Sequence, residues 1–240
     1  MRKLCLYITI LLLMGCSHNN TLKKMESSKT ITDIFNKAEI KDLAVIVDFF
    51  NAQICGAEKN EKITITQCYQ RLFEWMEETE VTGGFIDIRI PYREQQKMYS
   101  LLSDSTFYQI WRIDHRLYIV EIYDADTIND AYTIEAKDLV YVGKYLTFLK
   151  TFGQENSVVK RCYNNLVQSG DYPLACMDLI LSEYEQLDIK DVRTQFFLAM
   201  NFLTLNDALQ DSRKFLRDAV YKNFYYSPGS LSKASKELKE

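Results

Sequence analysis

Histidine is scarce in this chain: His18 and His115 are the only two in 240 residues. A protein zinc site draws its ligands from thiolates and imidazoles at set spacings. Neither histidine falls into such a spacing with a cysteine pair, which argues against zinc. Long apolar runs are also lacking. The marked one, Leu4 to Met14, covers eleven residues, whereas a helix crossing the hydrocarbon layer needs about 20. That excludes a permanent spanning anchor there. Basic charge is not in excess: 29 Lys and Arg face 33 Asp and Glu, for a formal net charge of −4. With no basic cluster of the kind that tracks phosphates, nucleic acid is not an expected partner. A fixed repeat period is missing as well, which argues against a solenoid.

Several enzyme motifs start and then fail. Ser157-Val158-Val159-Lys160 has the Ser-x-x-Lys form, but the companion motifs Ser-Asp-Asn and Lys-Thr-Gly are absent. The same loose form recurs at Ser230–Lys233. Asp124, Asp126 and Asp130 suggest a calcium loop. An EF-hand needs an oxygen ligand at position 5 and Gly at position 6, where this chain has Ile128 and Asn129. A polar loop is the better reading.

What is present begins with the first residues. Arg2 and Lys3 precede the uncharged run Leu4–Met14, which ends in Leu13-Met14-Gly15-Cys16. Charge, length and ending fit an export signal over residues 1–15. Leu13-Met14-Gly15-Cys16 resembles the lipobox of bacterial lipoproteins. The resemblance implies cleavage between Gly15 and Cys16, a diacylglyceryl thioether on Cys16 and an acylated new amino terminus, commonly palmitate. Such a protein sits on a membrane, since two or more acyl chains hold stably. Removing Arg2 and Lys3 leaves 27 basic against 33 acidic residues, net −6. Residues 16–30 are polar, with Lys23, Lys24 and Lys29, and read as a tether. By the same resemblance, in which Asp after the lipidated Cys marks inner-membrane retention and an acidic run marks surface export, Ser17 and the polar residues after it imply the outer membrane and its periplasmic face.

Six cysteines occur. Cys5 leaves with the signal and Cys16 takes lipid, so Cys55, Cys68, Cys162 and Cys176 remain. In an exported chain these are expected as disulfides. Of three connectivities, proximity favours Cys55–Cys68 and Cys162–Cys176. Each closes a loop that the chain-entropy account credits with about 3 kcal/mol.

The expected fold is α+β and predominantly α. Helical hairpins come first, a small antiparallel sheet lies in the middle, and a helical array ends the chain. The division is residues 31–135 for the α+β region, 136–223 for the helical region and 224–240 for a flexible tail. Leu43, Ile46, Val47, Phe50 and Ile54 recur at helical intervals up to Gly56. Thr66 is the expected cap of a second helix carrying Cys68, Leu72, Trp75 and Met76. Phe85–Ile90 alternates like a half-buried strand, and Pro91 suits a helix start. Thr106–Ile113 and Leu117–Tyr123 are β-rich, so a hairpin is expected with its turn at Asp114–Arg116, and Tyr132–Ile134 as a further short strand. From Ala136 the spacing is helical. Tyr145, Phe148 and Leu149 share a face, as do Val159, Cys162 and Leu166. Leu174, Met177, Leu181 and Tyr184 line a helix after Pro173. Val192, Phe196, Met200 and Leu203 line another, and Leu209, Leu216 and Val220 the last.

Two further groups invite chemistry. His115 beside Asp114 has the elements of a base, although a polar residue at a turn is ordinary. Glu74, Glu77, Glu78 and Glu80 offer paired carboxylates of the kind glycoside hydrolysis uses, but they also suit the solvated face of a helix burying Leu72 and Met76. The 16 Tyr and 13 Phe suit a core, an interface or a sugar platform. Phe224, Tyr225 and Tyr226 near the tail are the hardest to assign to a core.

Signal, size, paired cysteines and Tyr-rich helices together resemble small lipoproteins of gut Bacteroidales, some of which act as immunity proteins against antagonistic toxins. The resemblance implies a non-enzymatic envelope protein with a protein partner and no cofactor. The alternatives are binding of a glycan or another envelope component, and an envelope hydrolase.

Overall fold

The computed structural model describes residues 20–56, 63–81, 88, 90–122, 128–140, 142–169 and 174–225. Helix α1 covers 20–27, and α2 is Lys29–Thr32. The long α3 (Lys37–Cys55) and α4 (Ile65–Val81) follow, then the short α5 (Tyr92–Tyr99) and α6 (Asp104–Ile110). Strands β1 (Trp111–Ile122) and β2 (Ile128–Leu139) form a two-stranded sheet. Their connection is too short for a parallel crossover, so the pair is antiparallel. Helices α7 (Lys144–Phe152), α8 (Ser157–Ser169), α9 (Leu174–Glu183) and α10 (Val192–Tyr225) complete the described residues, with a single 3-10 turn, Tyr184–Gln186, after α9. The fold is thus mostly helical with one small antiparallel sheet.

Short polar side chains set the helix starts. Asn36 accepts from Ala38 N and Glu39 N, while Glu39 Oε2 accepts from Asn36 N at 2.7 Å, a reciprocal cap for α3. Glu39 is buried, and Lys144 Nζ at the start of α7 donates to it at 2.6 Å, so its charge is paired. Gly56 ends α3 at φ 70, a backbone conformation glycine adopts freely. The cap of α4 is Thr64, two residues before the expected Thr66. Thr64 N donates to Gln67 Oε1 and Gln67 N returns a bond to Thr64 Oγ1. Thr64 is the threonine with a glutamine three residues on, which is what that reciprocal motif requires. Asn156 and Asp191 cap α8 and α10 through their side-chain oxygens alone, Asn156 accepting from Val158 N and Val159 N and Asp191 from Arg193 N.

The middle of the chain differs most from expectation. Most of Thr106–Ile113 is not a strand: Asp104–Ile110 is helical, and only Trp111–Ile113 joins β1. The run is rich in β-branched and aromatic residues, but Ser103 caps it by accepting from Thr106 N. Asp42 of α3 then takes bonds from Ser103 Oγ and Thr106 Oγ1, both at 2.6 Å. A cap fixed by a neighbouring helix overrides weak intrinsic propensity. Asp114–Arg116 is therefore no turn but part of β1. β2 extends well beyond Tyr132–Ile134 and takes in 136–139, which the sequence reads as helical. Phe85–Ile90 lies outside the described residues except for Ile88 and Ile90, which are buried and in no strand.

The expected tether is also corrected in part. Residues 20–27 are helical, with Met25 fully buried and Thr21 nearly so. Composition averaged over a short polar stretch hides one apolar residue placed to dock. The two apolar stripes of the C-terminal region, Val192–Leu203 and Leu209–Val220, lie on one continuous helix, Val192–Tyr225. Neither Gly nor Pro stands between them to stop it, and Phe224 and Tyr225 belong to the same helix.

Contacts divide the chain into two compact units. One takes Met1–Arg112 with Asp138–Asn206, the other Ile113–Lys137 with Asp207–Glu240. In the first, α7 packs on α2, α6 and α8, while α9 packs on α4 and α8. Residues on both sides of 136 therefore share one core. Its centre is the first half of α10: every residue from Thr194 to Asn206 is buried. The ring centroid of Phe196 lies 4.9 Å from Phe148, 5.6 Å from Tyr145 and 6.1 Å from Phe35. Phe202 stacks on Phe50 at 5.5 Å. The aromatics that sequence spacing assigns to the core, Phe148 and Phe196, are there.

A helix buried on all sides must satisfy its polar side chains internally. Thr204 Oγ1 accepts from Trp111 Nε1 at 3.0 Å. Gln95 Nε2 donates to Leu203 O at 2.8 Å, and Asn206 Nδ2 donates to Gln95 Oε1 at 2.8 Å and Ile90 O at 3.1 Å. Replacing Thr204 by Val keeps the shape and leaves the buried Trp111 N–H without its acceptor. The expected loss is about 1–3 kcal/mol of unfolding free energy, read from urea denaturation followed by tryptophan fluorescence. Wild-type stability in T204V would refute this role for the bond.

Candidate functional site

Helix α1 borders two adjoining surface depressions. The smaller, about 310 Å³, is lined among others by Thr21, Lys24, Asp48, Asn51, Cys55 and Gln195. The larger, about 440 Å³, is lined among others by Lys24, Ser27, Lys29, Glu155, Lys190 and Arg193. Lys24 belongs to both. Positions 20, 21, 24, 27 and 28 follow helical spacing, so one stripe of α1 and its end faces both hollows. Thr21 Oγ1 donates to Asp48 Oδ1 at 2.5 Å and fixes α1 to α3.

A chain of hydrogen bonds underlies the smaller hollow. Tyr69 Oη donates to Asn51 Oδ1 at 2.9 Å, Asn51 Nδ2 to Gln195 Oε1 at 3.0 Å, and Gln195 Nε2 to Ile189 O at 2.8 Å. This links α4, α3 and the start of α10. Tyr69 is fully buried, and burial pushes its phenol well above the ordinary value.

In the larger hollow Arg193 is held on several sides. Its Nε donates to Asp191 Oδ2 at 2.9 Å and its Nη1 to Glu155 Oε2 at 2.7 Å. The guanidinium lies 4.6 Å above the centre of the Phe152 ring. The hydrogen bond to Asp191 is the main reason its pKa is raised; burial opposes this and Glu155 adds to it. Lys24, Lys29 and Lys190 are exposed, and among the described residues none of them enters an ion pair. Arg193 engages both carboxylates of this hollow, and with Lys24, Lys29 and Lys190 the four cations outnumber Glu155 and Asp191, so the lining keeps a formal charge of +2. Such a surface favours anions.

The residues singled out in the sequence are dispersed. Gly15 and Cys16 lie outside the described residues. Cys55 and Cys68 are bonded, Sγ to Sγ 2.10 Å, and join the end of α3 to the start of α4. Cys162 and Cys176 are bonded at 2.04 Å and join α8 to α9, beside the ion pair of Arg161 and Glu183. His115 is exposed on β1, where side chains of successive residues point to opposite faces, so Asp114 next to it is directed away. Glu74, Glu77 and Glu78 lie on the exposed face of α4 opposite Leu72 and Met76, and Glu74 accepts from Gln70. The side chains of Glu80, Asp130, Leu174, Leu216, Val220, Phe224 and Tyr225 lie outside the described residues, as do Asp124, Asp126 and Tyr226. Ser157 Oγ donates to Gln186 Oε1 at 3.2 Å rather than to Lys160. Among the described residues no group of His, Cys, Asp and Glu has the arrangement of a metal site.

The lysine-rich hollow is the feature sequence reading missed. Lys23, Lys24 and Lys29 are visible as a local cluster, but Lys190 and Arg193 join it only through the fold. No protein-family model, curated protein or solved structure matches this chain.

Tyr69 gives a pH test. In the unfolded chain the phenol ionises near pH 10, and in the fold it ionises higher. The neutral form is favoured by folding, so this contribution is complete below about pH 10 and is lost as pH rises towards the folded value. Unfolding free energy is expected to fall above pH 10, and to fall less steeply in Tyr69→Phe. Parallel curves for the two proteins would rule out Tyr69 as a source of the alkaline loss.

Proposed function

We propose that this chain is a membrane-anchored envelope lipoprotein that binds another protein and has no catalytic task of its own. Its specific role on this reading is immunity: holding and neutralising an antagonistic toxin outside the cytoplasm. The observation that carries the exported setting is the pairing of Cys55 with Cys68 and of Cys162 with Cys176, since disulfides persist in oxidising compartments. Leu13-Met14-Gly15-Cys16 supplies the anchor.

Binding is favoured over catalysis by what the polar groups do. Asp42, Asn51, Gln95, Thr204 and Asn206 are engaged in bonds that hold helices together. Apolar side chains meanwhile stand in solvent: Leu101 is 71% exposed, Tyr108 57%, Val142 78% and Val167 55%. These are contact material for a partner surface.

The test has two parts. Intact-mass analysis of the membrane fraction is expected to find Cys16 carrying acyl chains, and Cys16→Ser to release the protein from that fraction. Deleting the gene is expected to make cells sensitive to neighbouring strains, with resistance restored by the wild-type gene. Unchanged sensitivity in the deletion strain would end the immunity reading. Full membrane retention of C16S would end the anchor reading.

A further inference from the structure

The distance from the lipid site to the folded body is set by very few residues. The described part of helix α1 starts at residue 20, and the helix is docked through buried Met25 and the Thr21–Asp48 bond. Only four residue steps separate Cys16 from Asn20. Even fully extended, four residues reach about 14 Å. Asn20 itself lines the smaller hollow together with Lys24. An acyl chain on Cys16 therefore keeps the α1 face close to the headgroup layer.

That face carries the right charge for the layer. Lys24, Lys29 and Lys190 are exposed and form no ion pair among the described residues, while Arg193 engages Glu155 and Asp191. Thr30 lies in the same hollow, where its hydroxyl accepts from Arg193 Nη1 at 3.3 Å and can donate its own hydrogen to a phosphate oxygen. The attraction between lysines and an anionic membrane acts within a Debye length of about 8 Å at physiological salt. A tether longer by tens of residues would let the body drift many such lengths away, whereas this link keeps the first docked residue within about 14 Å of the lipid site.

We infer that the hollow formed by α1 and the start of α10 is a membrane-contact surface for anionic phospholipid headgroups, holding the body flush on the bilayer through Lys24, Lys29 and Lys190. The inference rests on the lipid anchor at Cys16 proposed above. It fixes orientation as well: this face meets lipid, and the partner is met elsewhere on the body.

The test uses the lipidated full-length product reconstituted into vesicles of phosphatidylcholine alone, or of phosphatidylcholine with phosphatidylglycerol. Flotation and the mass of the Cys16 peptide report the anchor. Amine acylation with peptide mapping reports contact, with Lys97, whose side chain is 64% exposed, as the internal reference. Labelling of Lys24, Lys29 and Lys190 is expected to slow at least about threefold relative to Lys97 in the anionic vesicles. The slowing should shrink in high salt. The K24E/K29E/K190E variant is expected to float normally, yet to show no difference between the two vesicle types at residues 27–30, followed by hydrogen exchange. Floating protein whose three lysines react as fast as Lys97 in both vesicle types would overturn the membrane-contact surface and leave the anchor standing. Protein that neither floats nor carries acyl mass on Cys16 would overturn the anchor, and the surface with it.

Discussion

The first half of α10 has no solvent face, and much else in the structure follows from that. From Thr194 to Asn206 every side chain is buried. Its aromatic and aliphatic residues supply the largest share of the core, with Phe196, Phe197, Leu198, Met200, Phe202 and Leu203 fully buried. Its polar residues then impose a stricter condition, because a buried polar group without a partner costs about 1–3 kcal/mol. Thr204 needs the indole of Trp111, Asn206 needs Gln95 and the Ile90 carbonyl, and Gln195 needs Asn51. These partners sit on α3, α5, at the start of β1 and in the chain before α5. The bonds select one arrangement of those elements around α10. Apolar packing alone would tolerate neighbouring registers.

This also explains which elements were legible in the sequence. α3, α7 and α8 are amphipathic, and Leu43, Phe148 and Cys162 fall where the spacing places them. One apolar stripe facing one core is the pattern that periodicity detects. α6 was not legible. Its helix depends on Asp42, which precedes Ser103 by 61 residues, and no local window contains that bond. α10 was legible as stripes but not as one helix. A segment buried all round has no polar face to mark its phase, so the two stripes read as separate helices although neither Gly nor Pro parts them.

The site divides along the same line. The two disulfides were readable because each links cysteines close in sequence, and the helix ends between them bring the sulfurs together. The lysine-rich hollow was half readable. Lys24 and Lys29 stand together in the sequence, but the polar composition around them suggests a free tether, and it takes Met25 to reverse that reading. A single buried Met contributes about 1.5–3 kcal/mol, an amount that an average over a polar stretch conceals. Lys190 and Arg193 are brought to α1 by the start of α10, a relation no sequence spacing expresses.

The position of α1 changes what an anchor at Cys16 would do. A long polar tether leaves a folded body free to turn, so its orientation on a membrane carries no information. A body docked from residue 20 onward is held by a link of at most about 14 Å, and its charge can then decide which face meets the bilayer. Arg193 matters here although it is not among the outward-facing cations. By engaging Glu155 and Asp191, it offsets part of the negative charge that would otherwise be set against Lys24, Lys29 and Lys190. The same helix start that caps α10 with Asp191 thereby leaves the hollow positive. One helix start thus serves both the buried core that follows it and the charge of the α1 face.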